Sequence, residues 1–530
     1  MLTGAALIVV AIARVVGRGG ARVPRSARRA RQMEVCQERT HSAHGHVHGN
    51  CSTCLVSSKS SVNCKTCMMS GFDCHCTCGG EAAKYPALWR SVRELQRAEA
   101  ARDAIPPLPA WCPKVFVYDL PTEYGELSDW NVSKASITEV FGEPLDPTCH
   151  PDVRNTYQYA LTETIYYRLW HSRCRTLDPA EADLFFVPVL PKRKRVFFWA
   201  VACNRTSHID ALGALPHLNR RTAHRHILMV GMEHNLVRGC TNWWENNGTS
   251  SNIGLLRHAI RWSMSMPLPE LFNHQDNAPY NTGIMNADGL YDVGRYPNVV
   301  AIPHASSVHC ANSSDPLLRS ARSGHIREER VGSKCSLGSR ADARACDGGS
   351  PPWSTAQPRP LLMLYVGDTY HGDVAVRNLV HRQCRSMPDD CHSIHYSYHP
   401  GPQLLMKQNA TFCLEPGGDT PFRKSVYDSI AMGCIPVLFS PQTARAAPWL
   451  WEGWQERSRV VVPRQDFLAG RIELRELLRS MPTEMLREMQ ETLAANARRF
   501  QVSLSDDERG DTVHTLLHGA MKATARREHI

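Results

Sequence analysis

The sequence lacks a membrane-length apolar run. The stretch LTGAALIVVAIA near the start is apolar for only about twelve residues before Arg14, and a spanning helix needs about 20. No later stretch comes closer. Acidic residues are absent from residues 1–33, which carry seven Arg. Much of the net charge of +10 therefore belongs to that segment, and the body has no basic excess suited to nucleic acid. RRM-like, KH-like and zinc-finger spacings are missing too, so no nucleic-acid partner is expected. Residues 1–33 read as a signal, a short anchor or a targeting segment. The apolar run suits a signal, yet no basic residues precede it, and Arg-rich, acid-poor sequence also marks organelle transit peptides. The first segment is the expected membrane contact.

Cysteine, in contrast, is abundant. Twenty Cys and six N-x-S/T sequons, at Asn50, Asn131, Asn204, Asn247, Asn312 and Asn409, favour an oxidising, glycosylating lumen. Residues 36–78 form a Cys/His-rich module with Cys36, Cys51, Cys54, Cys64, Cys67, Cys74, Cys76 and Cys78. Its paired CxxC units suit tetrahedral zinc, and its even count suits small-loop disulfides; both readings stay open. Residues 81–110 read as a stem or linker: an amphipathic helix over 81–103, then the punctuating IPPLPAWCP.

From there the chain alternates strands and helices, which predicts a parallel α/β architecture. KVFVYDLP starts a domain over 111–310, with further strands at 184–189, 226–230 and 299–302. The spacing predicts a helix in TYQYALTETIYYRLW with Ala160, Leu161, Ile165 and Leu169 inward. Asp178, Pro179 and Glu181 read as the capped start of another helix. Residues 311–358, rich in Ser, Arg, Gly and Pro, read as an insertion or hinge loop. A second domain over 359–530 restarts the pattern, and two such domains facing each other make a cleft.

The densest stretch is FCLEPGGDTPFRKSVYDSIAMGCIPVLF, residues 412–439. It reads as strand, Gly-rich loop, helix and strand. Arg423 and Lys424 sit at the helix start, against the dipole, and an anion such as a diphosphate would resolve that conflict. An ordinary turn with solvated charges is the alternative. Gly417 and Gly418 allow close backbone approach, or simply the turn.

Five segments in order carry a resemblance to the exostosin family, glycosyltransferase family 47: KVFVYDLP, RTLDPAEADLFFVPVLP, PNVVAIPH, LLMLYVGD with AVRNLV, and the 412–439 stretch. The branch that includes plant xyloglucan galactosyltransferases looks nearest, and algal members are broadly similar. The front module is similar to EGF-like extensions of algal members, though its spacing departs from an EGF domain. The resemblance implies a GT-B fold of two Rossmann-like domains facing a cleft, an N-terminal acceptor domain and a C-terminal nucleotide-sugar domain. It implies inverting transfer from a UDP-sugar to a glycan or glycoprotein acceptor, without a required cofactor or metal, in a Golgi membrane protein with a lumenal catalytic body.

The resemblance also distributes roles. Arg423, with Lys424 second, matches the diphosphate position, and Ser425 adds a donor from the helix start. Asp428 matches a ribose-binding carboxylate, or forms an i,i+4 pair with Lys424. Glu415 and Asp419 hold sugar hydroxyls or order the loop. Glu233 and His234, in GMEHN, stand where many members have Gly-Arg-Asp-His; they are the candidate base, although Met232 replaces the Arg. His304 is a second cleft candidate, Asp368 a turn or site residue, and Asp389–Asp390 a poor metal pair. The alternative function is a lectin-like or scaffold protein on the same fold, supporting a partner glycosyltransferase.

Overall fold

A computed structural model describes residues 66–70, 73–77, 85–102, 112–119, 132–146, 150–189, 212–230, 253–264, 284–285, 291–292, 298–310, 351–370, 372–395, 402–418, 423–440, 443, 447–506 and 510–525. Segment 1–33, most of the 36–78 module, most of the 311–358 loop, and Glu233, His234 and Asp419 lie outside the described residues. The chain forms two compact units. One comprises Met1–Glu94 with Pro463–Pro482, the other Leu95–Val462 with Thr483–Ile530.

The first unit contains an antiparallel hairpin, β1 (Thr66–Ser70) and β2 (Asp73–Thr77), in a register that sets Cys67 opposite Cys76. It also holds the start of the helix Pro86–Arg102. That helix is not a free stem. Tyr85, Leu88 and Trp89 are buried, Trp89 Nε1 donates to Ser480 Oγ (2.9 Å), and Glu473 N donates to Tyr85 Oη (3.2 Å). The apolar positions of an amphipathic pattern have found a partner inside their own unit.

The second unit is α/β and GT-B-like, with two separate, mainly parallel sheets. The first sheet contains β3 (Val115–Val117), β6 (Arg175–Thr176), β7 (Leu184–Val189), β8 (His226–Val230), β9 (Ile260–Ser263), β10 (Ile284–Met285), β11 (Tyr291–Asp292) and β12 (Val299–Ala301). Its order is β10-β11-β12-β9-β8-β7-β3-β6, parallel from β12 to β6 and antiparallel at the β10–β11 edge. A small antiparallel pair, β4 (Pro144–Asp146) and β5 (His150–Arg154), lies beside it in sequence. The helix Leu161–Trp170 buries Leu161, Ile165 and Leu169. Strands β7 (LFFVPV) and β8 (HILMV) are near-continuous apolar runs with residues 184–188 and 226–229 all buried, the pattern of strands at the centre of a parallel sheet.

The helix expected from Asp178 does not form. Residues 178–183 make turns, with Asp178 Oδ1 accepting from Ala180 N (2.8 Å), and β7 begins at once. A short Asp side chain that bonds its own backbone two residues on offers the chain a turn in place of a helix cap.

The second sheet contains β13 (Leu361–Val366), β14 (Cys391–Ile394), β15 (Ala410–Glu415), β16 (Ile435–Leu438) and β17 (Val460–Val461), all parallel, in the order β14-β13-β15-β16-β17. Disulfides Cys112–Cys174, Cys384–Cys391 and Cys413–Cys434 staple this unit. The segment 302–310, which leaves β12, is buried throughout. Arg154 N donates to Ser307 O (2.8 Å), His309 N to Asp152 O (2.8 Å), Cys310 N to Gln501 Oε1 (2.6 Å) and Ser503 Oγ to Cys310 O (2.7 Å).

Candidate functional site

The strand order of the second sheet changes direction between β13 and β15, with β14 added on one side and β15 on the other. In open parallel sheets, ligands bind in the crevice at the carboxyl ends of the two strands that flank such a switch. Two loops meet there. One follows β13 and reaches the helix Val374–Arg385; the other follows β15 and reaches the helix Lys424–Ala431. Glycines let them touch. Gly372 has φ +69°, and a Cβ on it would lie 2.5 Å from the Gly418 carbonyl carbon. A Cβ on Gly418 would lie 3.2 Å from Arg423 Cδ and 3.3 Å from its Nε. Gly418 thus leaves the path along which the arginine side chain runs.

Arg423 is the extended residue just before the helix, at φ −135° and ψ 140°. It is half-buried, and its Nη1 donates to Pro416 O (3.1 Å). Among the described residues it forms no ion pair. Burial first, then the neighbouring Arg377, pushes its pKa down, against the pull of Glu415, Tyr365 and Asp368. Arg377 is itself spoken for. Its Nη1 lies 2.7 Å from Asp368 Oδ1, and its Nε donates to Gly417 O (2.9 Å). Asp368 also accepts from Tyr370 N (3.2 Å) on Oδ1, so it orders the loop after β13.

Beneath the loop lies a buried polar cluster. Glu415, the last residue of β15, accepts at Oε1 from Lys407 Nζ (2.7 Å), Ser429 Oγ (2.6 Å) and Ser425 Oγ (3.0 Å). Its Oε2 is buried and accepts no hydrogen bond among the described residues. Burial would raise the Glu415 pKa, but Lys407 and then Arg423 outweigh it and hold the carboxyl below its usual range. Lys407 Nζ also donates to Ser429 Oγ (2.6 Å), Ser425 Oγ (2.8 Å) and Ser425 O (2.9 Å).

Residues 350–468 match the Exostosin GT47 domain. Over that stretch the chain is similar to the exostosin family. The match takes in β13 to β17 and both loops of the switch point. Over longer stretches the chain is similar to a xyloglucan-specific galacturonosyltransferase of Arabidopsis thaliana, at 24% identity over 69% of this chain and 50% of that protein. It is similar to a probable xyloglucan galactosyltransferase of the same plant at 25% identity, over 71% of this chain and 60% of the relative. A xyloglucan galactosyltransferase, also from Arabidopsis, is 23% identical over 72% of this chain and 56% of its own length. The match therefore spans about half to three-fifths of the length of these curated relatives.

Within the matched stretch the two adjacent basic residues part company. Lys424 turns inward: its Nζ donates to Asp428 Oδ2 (2.7 Å), Asp428 Oδ1 (2.9 Å) and Ser307 Oγ (2.6 Å). Asp428 Oδ1 also accepts from Ser307 N (2.7 Å). The i,i+4 pair is therefore present, and it is tied to the segment that leaves the first sheet. Burial pushes the Lys424 ammonium down, against the pull of Asp428. His304 is buried, with Nδ1 3.2 Å from Gln158 O. Asp389 and Asp390 sit in the turn before β14, beside the Cys384–Cys391 disulfide. Among the described residues no group of three or more His, Cys, Asp or Glu is placed to hold a metal.

Three contributors were not singled out by the sequence. Arg377 lies inside AVRNLV, a stretch that carries the family resemblance, and that was its available signal. Lys407 and Ser307 lie in no motif. A lone Lys in LMKQNA gives no sign of being buried, and Ser307 is 121 residues from the Asp428 it binds.

Proposed function

We propose that this protein is an exostosin-like inverting glycosyltransferase that moves a sugar from a nucleotide donor, a UDP-sugar, to a glycan or glycoprotein acceptor. The observation that carries the reading is Arg423: a half-buried guanidinium, without an ion-pair partner among the described residues, at the switch point of a parallel sheet and the start of a helix. A diphosphate is an anion of matching charge and geometry for that place.

The transfer is a single displacement. The acceptor hydroxyl oxygen bonds to the anomeric carbon as the bond from that carbon to the diphosphate oxygen breaks. The hydroxyl proton goes to a base, for which Glu233 and His234 are the candidates, and the diphosphate leaves with the bonding electrons. Arg423 stabilises the charge growing on the leaving group, helped by backbone N–H groups at the helix start. Asp419 is assigned to the sugar hydroxyls, Gly417 and Gly418 allow the close backbone approach, and Glu415, buried beneath the loop and held by Ser425, orders it. Asp428 Oδ2, which among the described residues accepts only from Lys424, is assigned to a ribose hydroxyl. The chemistry calls for no metal or other cofactor.

The relatives' names speak of galactosyl and galacturonosyl transfer to xyloglucan, so UDP-hexoses and xyloglucan-like glycans head the substrates to be tried. A Golgi lumen, reached through the N-terminal segment, is the proposed location, and the disulfides of the body suit an oxidising compartment. The test is a panel of UDP-sugars assayed for hydrolysis and transfer with the purified chain and with Arg423→Ala. Turnover with one donor that Arg423→Ala loses supports the reading. Donor binding without hydrolysis or transfer to any acceptor overturns it in favour of a lectin-like scaffold.

A further inference from the structure

Lys407 is buried, with a side chain only 3% exposed, and its ion-pair partner Glu415 is 2% exposed. A buried ammonium is costly unless it is paired and hydrogen-bonded, and here it is both. Its partners come from two elements. Glu415 ends β15, while Ser425 and Ser429 stand one turn apart on the helix Lys424–Ala431. The ammonium therefore clamps strand to helix directly under the loop that they share.

The carboxylate it holds also belongs to the field of the loop. Glu415 is faced by Lys407 from the turn Met406–Asn409, by Arg423 from the loop, by Ser425 and Ser429 from the helix, and by Tyr365 from β13. Arg423 lies between the attraction of Glu415 and the repulsion of Arg377. If Glu415 took a proton, Arg423 would lose the first of its attractive partners and keep the repulsive one.

We infer that Lys407 is a positioning residue of the donor loop: it holds Glu415 ionised and fixed, and through Glu415 it sets the place of Arg423. This rests on the proposed donor site, and it adds a residue that no motif marks. It makes no contact with substrate in this role.

The experiment compares wild type, Lys407→Met and the double variant Lys407→Met/Glu415→Gln, by UDP binding calorimetry from pH 5 to 8 and by thermal unfolding. Lys407→Met keeps the length and removes the charge. Its UDP affinity is expected to fall about tenfold or more, in line with a lost buried charge contact. The buried Glu415 would then titrate within the range tested, so the affinity of the variant should vary with pH. Wild type and the double variant should show no such added dependence, since one keeps Glu415 ionised and the other has no acid there. A merely structural lysine would lower the melting temperature without introducing that dependence. Should the single variant fail to fold, the double variant, with neither charge buried, carries the test: weak UDP binding in a folded protein supports the inference. UDP affinity within twofold of wild type in either folded variant overturns it. A loss with no added pH dependence in folded Lys407→Met overturns it as well. Failure of the wild type to bind UDP is a separate result, and it overturns the donor reading together with this one.

Discussion

Arg423 and Lys424 are adjacent, yet one points along the loop and the other along the helix, because the backbone turns from extended to helical between them. The two should fail differently when removed. Arg423→Ala removes a half-buried charge that forms no ion pair among the described residues, and Glu415 keeps its pairing with Lys407, so the melting temperature is expected to stay near wild type. Turnover of the UDP-sugar should drop by about 10²–10³-fold, the usual loss for one charged stabiliser of a developing anion. Lys424→Met leaves Asp428 buried beside Ser307 without its cation, and is expected to cost about 2 kcal/mol of stability, discounted because the pair keeps some exposure. Denaturant unfolding of both variants beside their kinetics separates these outcomes; equal stability losses would remove the distinction. The difference was partly legible in the sequence. The i,i+4 spacing of Lys424 and Asp428 is a local pattern, whereas the Ser307 that completes the pair comes from across the fold. Burial of Lys407 was not legible at all, since only tertiary contacts tell a buried lysine from a solvated one.

At the scale of elements, β7, β8 and β13 could be read from the chain because each is a continuous apolar run between breakers. The meeting of the loops after β13 and β15 could not, because Gly372 and Gly418 sit 46 positions apart and each alone passes for an ordinary turn glycine. Gly372→Ala tests that meeting. The new Cβ would strike the Gly418 backbone, and its φ of +69° disfavours a side chain, so a loss of about 2 kcal/mol or more in unfolding free energy is expected. UDP affinity should fall with it; a variant as stable as wild type would show that the loops do not depend on this contact. The helix Pro86–Arg102 supports a second expectation. A chain starting at residue 81 should unfold like the full chain, because the Cys/His module lies ahead of it. A chain starting at Pro106 loses Tyr85 and Trp89 from their places beside Glu473 and Ser480, and residues 463–482 should become an early site of proteolysis. If the shorter chain resists protease as well as the longer, that helix is the loose stem its charge pattern suggested.

For the whole molecule, two buried histidines make stability depend on pH. His226 stacks on Phe185 at 4.7 Å, and burial depresses its pKa to about 4. His309 lies between Thr156 Oγ1 and Val502 O, each at 2.7 Å, and burial depresses its pKa to about 3. Both are neutral when folded and take up protons once unfolded, at the ordinary imidazole value near 6.5. The unfolded chain then binds more protons, so their contribution is full above about pH 6.5 and is lost as pH falls towards their folded values. Between pH 7 and 5 the loss should be about 4 kcal/mol for the pair, and His309→Gln should roughly halve the slope of stability against pH. A slope unchanged by that substitution would show that His309 does not titrate on unfolding. His309 stands in the same 302–310 segment that hands Ser307 to Asp428 and Cys310 to Gln501 and Ser503. That sharing bears on how such a gene can be cut and recombined. A chimaera that grafts residues 359–530 onto a foreign first half would inherit a polar socket at Asp428, Gln501 and Ser503 with nothing to fill it. Successful exchanges should carry 302–310 along with the second sheet, so the natural seam for recombination lies upstream of residue 302 and not within the loop that separates the two sheets.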